Sequence, residues 1–250
     1  MPMNDGLLRE DEVVFDLNNR KIKDLSNNMH TLVRNLFGVL DEENYIKCYK
    51  VDDSFKTDFV IEYGDDKRNI SMKSGRAEIV HNEILANFIE FLRGLGISEK
   101  TLETIKLYHY GDGTTDGSGQ KRLGYKDVVN MLGDRIKEAN SELNASLTFV
   151  EKVVKRCVFK GSYEENLEAD AIYFGDRNYG IMATKRQIMK HLSKRGFDFY
   201  NNLHIGPLLL RPDARYVDRD INYERKRQRI VAYWPHLNAD IDFISRHYNY

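Results

Sequence analysis

The sequence predicts an α+β protein. Three observations carry that reading. Several stretches repeat apolar residues at helical spacing. Shorter β-favouring runs sit between turn signals. Both patterns occur in an N-terminal half, 25–100, and a C-terminal half, 160–250, joined by helices in one body.

Residues 1–24 are polar and read as a short arm. Ser26 is a candidate cap for a helix to Leu40, with Met29, Leu32, Val33, Leu36, Phe37 and Leu40 on its apolar stripe. Tyr45–Val51, Lys56–Tyr63 and Arg68–Lys73 read as three strands, with Gly64-Asp65-Asp66 as the turn signal between the last two. His81–Arg93 reads as a second helix, with Ile84, Leu85, Phe88, Phe91 and Leu92 facing inward and Gly94 and Gly96 ending it. Tyr108–Gly124 is a glycine-rich loop. Tyr125–Asn140 and Leu147–Phe159 return to helix. Ala171–Phe174 and Tyr179–Ala183 are strands. Thr184 with Gln187 is a capping-box pair that opens a helix to Lys194. His204–Leu210 and Arg229–Trp234 are further strands. The expected organisation is a single domain over 1–250, with a catalytic core at about 25–100, linking helices at about 101–160, and elements facing a ligand at about 161–250.

Composition narrows the function classes. With Lys+Arg 38 against Asp+Glu 39 the net charge is −1, which excludes a histone-like polycation and an acidic tail protein. DNA binding stays open, because charge can be segregated onto one face. The two cysteines, Cys48 and Cys157, form no disulfide framework or zinc spacing, and the first residues show no signal pattern, so a cytoplasmic protein is expected. Gly111–Gly117 begins like a calcium loop, but Leu123 stands where the bidentate Glu is required. No phosphate-binding loop, HExxH or GxSxG motif is present.

The informative stretch is Lys56–Tyr63, a turn, and Asn69-Ile70-Ser71-Met72-Lys73-Ser74-Gly75. Side chains alternate along a strand, so Ser71 and Lys73 share one face and Ile70 and Met72 the other. A loop of Gly64–Lys67 sets Asp58 opposite Lys73; a loop of Gly64-Asp65 sets it opposite Ser71. Either even loop gathers Asp58, Ser71 and Lys73 on one face, where opposed β-carbons lie about 5 Å apart. A carboxylate, an ammonium and a hydroxyl then converge. The bland alternative is a cross-strand ion pair on a solvated face. The flanking Phe59, Ile61, Ile70 and Met72 argue instead for central strands.

This stretch resembles the PD-(D/E)XK nuclease superfamily, with its restriction-endonuclease-like α/β/α core: a central mixed sheet flanked by helices. The resemblance covers about residues 25–95, matching Ser26–Leu40, Tyr45–Val51, Lys56–Lys73 and His81–Arg93 to the family's element order. A strand-rich C-terminal elaboration follows, and the elements at about 161–250 are expected to face DNA and determine specificity. The family's first acidic residue matches Asp58, with Thr57 where proline often stands, and its lysine matches Lys73. Ser71 replaces the acidic residue two before the lysine. Some members with Ser there take the carboxylate from the following helix, which makes Glu83 the candidate and Glu78 the second choice.

The resemblance implies a magnesium-dependent endonuclease acting on double-stranded DNA, a type II restriction enzyme by leading expectation. Asp58 and Glu83 would hold Mg2+, with the Met72 carbonyl as a further oxygen ligand. Lys73 would orient the attacking water and steady transition-state charge, and Ser71 would hydrogen-bond a water of the ion's shell. A homodimer would match a palindromic site. Arg225, Lys226, Arg227 and Arg229 form the densest basic cluster and, with Lys121 and Arg122 of the glycine-rich loop, are the expected phosphate contacts. A solvated charged face is an equally ordinary reading of that cluster. The other readings are a structure-specific phage or repair nuclease, and a non-catalytic DNA-binding protein on a nuclease-like scaffold.

Overall fold

The computed structural model describes residues 5–51, 55–75, 78–119, 122–162, 167–194, 196–197, 199, 202–213 and 223–248. The protein is α+β, and its chain divides into two compact units. Unit 1 comprises 1–77, 158–194 and 236–250; unit 2 comprises 78–157 and 195–235. The chain crosses between them near 77, 157, 194 and 235.

Unit 1 is built on a six-stranded mixed sheet in the order β1-β2-β3-β4-β6-β7. Its strands are β1 (Arg20–Lys21), β2 (Tyr45–Lys50), β3 (Phe59–Tyr63), β4 (Asp66–Lys73), β6 (Ala171–Gly175) and β7 (Gly180–Thr184); β5 belongs to unit 2. All neighbours are antiparallel except β4 and β6, which run parallel. Both β3 and β4 are therefore central, as their apolar content predicts. Of the arm expected at 1–24, the described residues are structured: Asp5–Leu17 forms helix α1. The run Arg9-Glu10-Asp11-Glu12 hides its stripe, but Val13 and Leu17 are fully buried one turn apart. Helix α2 (Asn27–Phe37) starts where expected, with Ser26 Oγ accepting from the Met29 N–H at 3.3 Å. Val13, Leu17, Met29, Leu32, Val33 and Leu36 pack with Phe59, Ile61, Ile70, Met72, Tyr173 and Met182 in one core cluster. Helix α7 (Lys185–Leu192) carries the predicted capping box of Thr184 and Gln187, and α9 (Leu237–His247) closes the unit.

Unit 2 holds a four-stranded antiparallel sheet, β5-β10-β9-β8. Its strands are β5 (Ile79–Ile84), β8 (His204–Ile205), β9 (Leu208–Pro212) and β10 (Arg229–Tyr233). Its helices are α3 (Leu85–Gly94), α4 (Glu99–Tyr110), α5 (Tyr125–Leu143), α6 (Leu147–Val154) and the short α8 (Tyr223–Arg227); α6 runs on into a π-helical turn (Lys155–Lys160) within which the chain passes to unit 1. The helix expected at 81–93 is corrected here: residues through Ile84 are strand, because His81, Asn82, Glu83 and Ile84 pair in register with Ala232, Val231, Ile230 and Arg229. Ile84, expected on a buried stripe, is exposed. Tertiary pairing overrides the helical spacing. Among the described residues no helix is long and apolar enough to cross a membrane.

The β3–β4 turn settles the register. Tyr63 opposes Asp66, Phe59 opposes Ile70, and Gly64 takes a φ of +60° in a two-residue loop. A β-carbon at a positive φ is strained. Gly64→Ala is therefore expected to destabilise the protein by about 1 kcal/mol or more, read as a lowered denaturant midpoint. An unchanged midpoint would mean that the turn does not constrain the hairpin.

Candidate active site

The two-residue loop carries the pairing one step past Phe59, setting Asp58 opposite Ser71. This is one of the two even registers read from the sequence. Asp58 lies just before β3, with its N–H donating to the Ile70 carbonyl at 2.8 Å and its carbonyl accepting from the Val51 N–H at 3.3 Å. Upstream, the buried Thr57 hydroxyl donates to the Leu167 carbonyl at 2.9 Å. These three ties fix the backbone where it enters the strand.

Three donors of β4 converge on one carboxylate oxygen. Asp58 Oδ2 accepts from the Met72 N–H at 2.5 Å and from the Ser71 hydroxyl at 3.3 Å, and Lys73 Nζ stands 3.7 Å away. Lys73 Nζ also donates to the Met72 carbonyl at 2.8 Å. Among the described residues, no donor reaches Asp58 Oδ1. The Lys73 and Asp58 side chains are 23% and 22% exposed, so the pair is half-desolvated yet open to a ligand. Beyond the strand, Gly75 has a φ of +65°, and a β-carbon there would meet the Arg9 guanidinium at 3.5 Å. That brings a second cation to this end of the sheet.

A further carboxylate, absent from the sequence reading, lies within the reach of these charges. Glu10 of α1 is 3.5 Å from the ammonium of Lys50, whose register partner is Phe59, so it belongs to the Asp58 end of the sheet. Its carboxyl is pushed above the usual range, first by burial and then by the negative charge of Asp58, against the lowering pull of Lys50 and Lys73. The signal was available: Glu10, Val13, Val14 and Leu17 recur at helical spacing, which places a carboxylate on the inward stripe of α1.

The other expected ligands have different partners. Glu83 lies on β5 in unit 2, not on a helix. It is buried and paired with Arg156 at 2.7 Å and with His81 Nε2 at 2.7 Å. Burial alone would raise its carboxyl, but the hydrogen bonds from His81 and Arg156 outweigh that and hold it below the usual range. Arg156 in turn stacks 4.4 Å from the Phe91 ring centroid. The Glu78 carboxylate accepts from the Tyr233 hydroxyl, also in unit 2. Among the described residues no three His, Cys, Asp or Glu side chains form a closed metal cage. Magnesium does not need one, since one or two carboxylates suffice and its waters complete the shell.

Of the basic residues, Arg227 bonds the fully buried carboxylate of Asp112 at 2.7 Å, and its carbonyl accepts from His109 Nε2. The glycine-rich loop is thus tied down through Asp112 rather than shaped for calcium. Arg229 bonds Asn82 through its side-chain oxygen at 2.6 Å and its carbonyl at 3.0 Å. Arg122 donates to the carbonyls of Tyr108, His109 and Leu123. Arg225 is exposed and Lys226 half-buried on α8, while Lys121 lies outside the described residues.

No protein-family model and no curated protein matches the chain.

Two outcomes follow from these electrostatics. Glu83→Ala strands the Arg156 charge in the interior and is expected to cost about 3–5 kcal/mol in denaturant unfolding; wild-type stability would contradict the buried pair. Glu10 has the opposite sign. Its folded pKa is raised, so its favourable contribution is complete below the unfolded value of 4.5 and is lost as pH rises through the folded one. Without added cations, Glu10→Gln should raise the melting temperature at pH 7 and leave it unchanged near pH 4. A drop at pH 7 would show that its pairing with Lys50 outweighs burial and the repulsion from Asp58.

Proposed function

We propose that unit 1 carries a magnesium-dependent endonuclease site for double-stranded DNA, of the PD-(D/E)XK kind. The observation that carries this reading is the placement of Lys73 Nζ beside an Asp58 carboxylate already oriented by the Met72 N–H. Glu10 takes the place that Glu83 held in the sequence reading. Asp58, Glu10 and the Met72 carbonyl are hard oxygen donors, and the two carboxylates already repel each other, which suits a divalent cation. When bound, Mg2+ polarises the phosphodiester and lowers the pKa of water.

The chain's own groups do the rest. The Met72 N–H and Ser71 hydroxyl pre-orient Asp58, so that its carboxylate needs no rearrangement at the moment of reaction. Lys73 presents a compact ammonium that orients the attacking water and balances negative charge on the phosphate. Arg9 offers a guanidinium to the same phosphate. A sequence-specific restriction endonuclease is the narrower reading. Ser71 favours one other, a DNA-binding protein on the same scaffold, because its buried hydroxyl stands where a carboxylate would add charge.

Digestion of duplex DNA with Mg2+, and binding in Ca2+, test the proposal. Discrete fragments support the restriction reading, and nicks at branched junctions support a structure-specific nuclease. Lys73→Ala should lower the single-turnover rate on the order of a hundredfold or more and leave affinity in Ca2+ nearly unchanged. Undiminished cutting by Lys73→Ala, or no cutting by the wild type, would return Asp58 and Lys73 to a structural ion pair.

A further inference from the structure

Away from that site, unit 1 has a cavity of about 470 Å³, lined by Arg68, Asp170, Lys185, Arg186, Lys190 and Tyr248 among others. The sheet order builds it. β4 contributes Arg68, the approach to β6 contributes Asp170, and the helix after β7 contributes the three cations. Arg68 is five residues before Lys73 on β4, on the order of 17 Å along the strand, so this cavity is separate from the site at the Lys73 end.

Its charges break two local rules. Lys185 and Arg186 occupy the first turn of α7, which holds no acidic residue. The helix dipole favours anions there and disfavours cations. Arg186 and Lys190 are like charges four apart on one helix, which is also unfavourable. Compensation is partial. Lys185 pairs with Glu168 at 2.9 Å, Arg68 is 3.9 Å from Asp66 and stacks over Phe37 at 5.3 Å, and one Asp170 oxygen accepts the Asn69 N–H at 2.9 Å. Lys190 and Lys194 both approach the Tyr248 ring, at 5.6 and 5.5 Å from its centroid. Among the described residues no carboxylate forms an ion pair with Arg186 or Lys190, and both are exposed. The Thr184–Gln187 capping box and the buried Ile188 and Leu192 hold the helix in place despite these costs. Local conflicts of this kind concentrate at functional sites.

We propose that this cavity binds a phosphate group, either of a polynucleotide backbone or of a free nucleotide. A guanidinium matches phosphate oxygens bidentately and an ammonium adds a point charge. An anion in this cavity would offset the charges of Arg186, Lys190 and Arg68. The pocket does not depend on the nuclease reading, because it touches none of the proposed catalytic groups.

The test is the double variant Arg186→Gln/Lys190→Gln of the full chain, with undiminished thermal stability as the check on folding. A fluorescent DNA duplex and adenosine monophosphate are titrated in separate arms across a salt series. Backbone binding predicts a duplex affinity about ten- to a hundredfold weaker and a salt slope shallower by about two. Where the full chain cuts DNA, the rate at saturating duplex should be unchanged. Loss confined to the mononucleotide arm assigns the site to a free nucleotide. Wild-type affinities in both arms, or no binding of either probe by the wild type, overturn the proposal. Loss of binding in a protein that cuts no DNA would sink the nuclease reading and leave the phosphate pocket standing.

Discussion

With Gly64 and Asp65 alone in the β3–β4 loop, the hairpin pairs Tyr63 with Asp66 and delivers Asp58 to the end of β4. There the Met72 N–H and the Ser71 hydroxyl both point at Asp58 Oδ2. A slip of one residue would turn Ser71 and Lys73 into the α1–α2 core and move Ile70 and Met72 to the face that Ser71 and Lys73 now occupy. The core therefore enforces the register, and the register enforces the site: Phe59, Ile61, Ile70 and Met72 are all buried on the side packed by α1 and α2. The site is a by-product of packing that the unit needs in order to fold.

On that frame the electrostatics become unusual. Asp58, Glu10, Lys50 and Lys73 share one end of the sheet, with burial working against the Glu10 charge. Surface ion pairs elsewhere in the unit, such as Lys21 and Lys23 with Glu43, lie in water and add little. The Asp58 end differs because two carboxylates and two ammoniums are half-desolvated together, so each charge is felt by the others. Removing or adding one charge there should matter more than at Glu43.

The candidate hairpin was legible because alternation and turn chemistry are local signals. Ser26, Thr184 and Gln187 were legible as caps for the same reason. Two features were obscured by opposite errors. The α1 stripe is interrupted by Arg9-Glu10-Asp11-Glu12, so a real helix was read as an arm and its inward carboxylate was missed. Residues 81–84 carry apolar spacing that continues into α3, so a strand was read as helix and Glu83 was placed on the wrong element. Its pairing with β10 comes from residues about 150 positions away, which no local pattern reveals. The basic run at 225–229 read as one cluster, whereas Arg227 and Arg229 are bound within unit 2 by Asp112 and Asn82.

The proposed nuclease site requires that Asp58 and Glu10 together hold a divalent cation beside Lys73. Calorimetric titration of Mg2+ into the full chain at pH 5 and pH 7, repeated on Asp58→Asn, tests it without reference to catalysis. The account predicts saturable binding that is stronger at pH 7. At pH 5 it should release protons, because the raised Glu10 carboxyl must ionise to bind. It also predicts loss of that binding in Asp58→Asn. Equal, weak binding at both pH values, unchanged in Asp58→Asn, would contradict it.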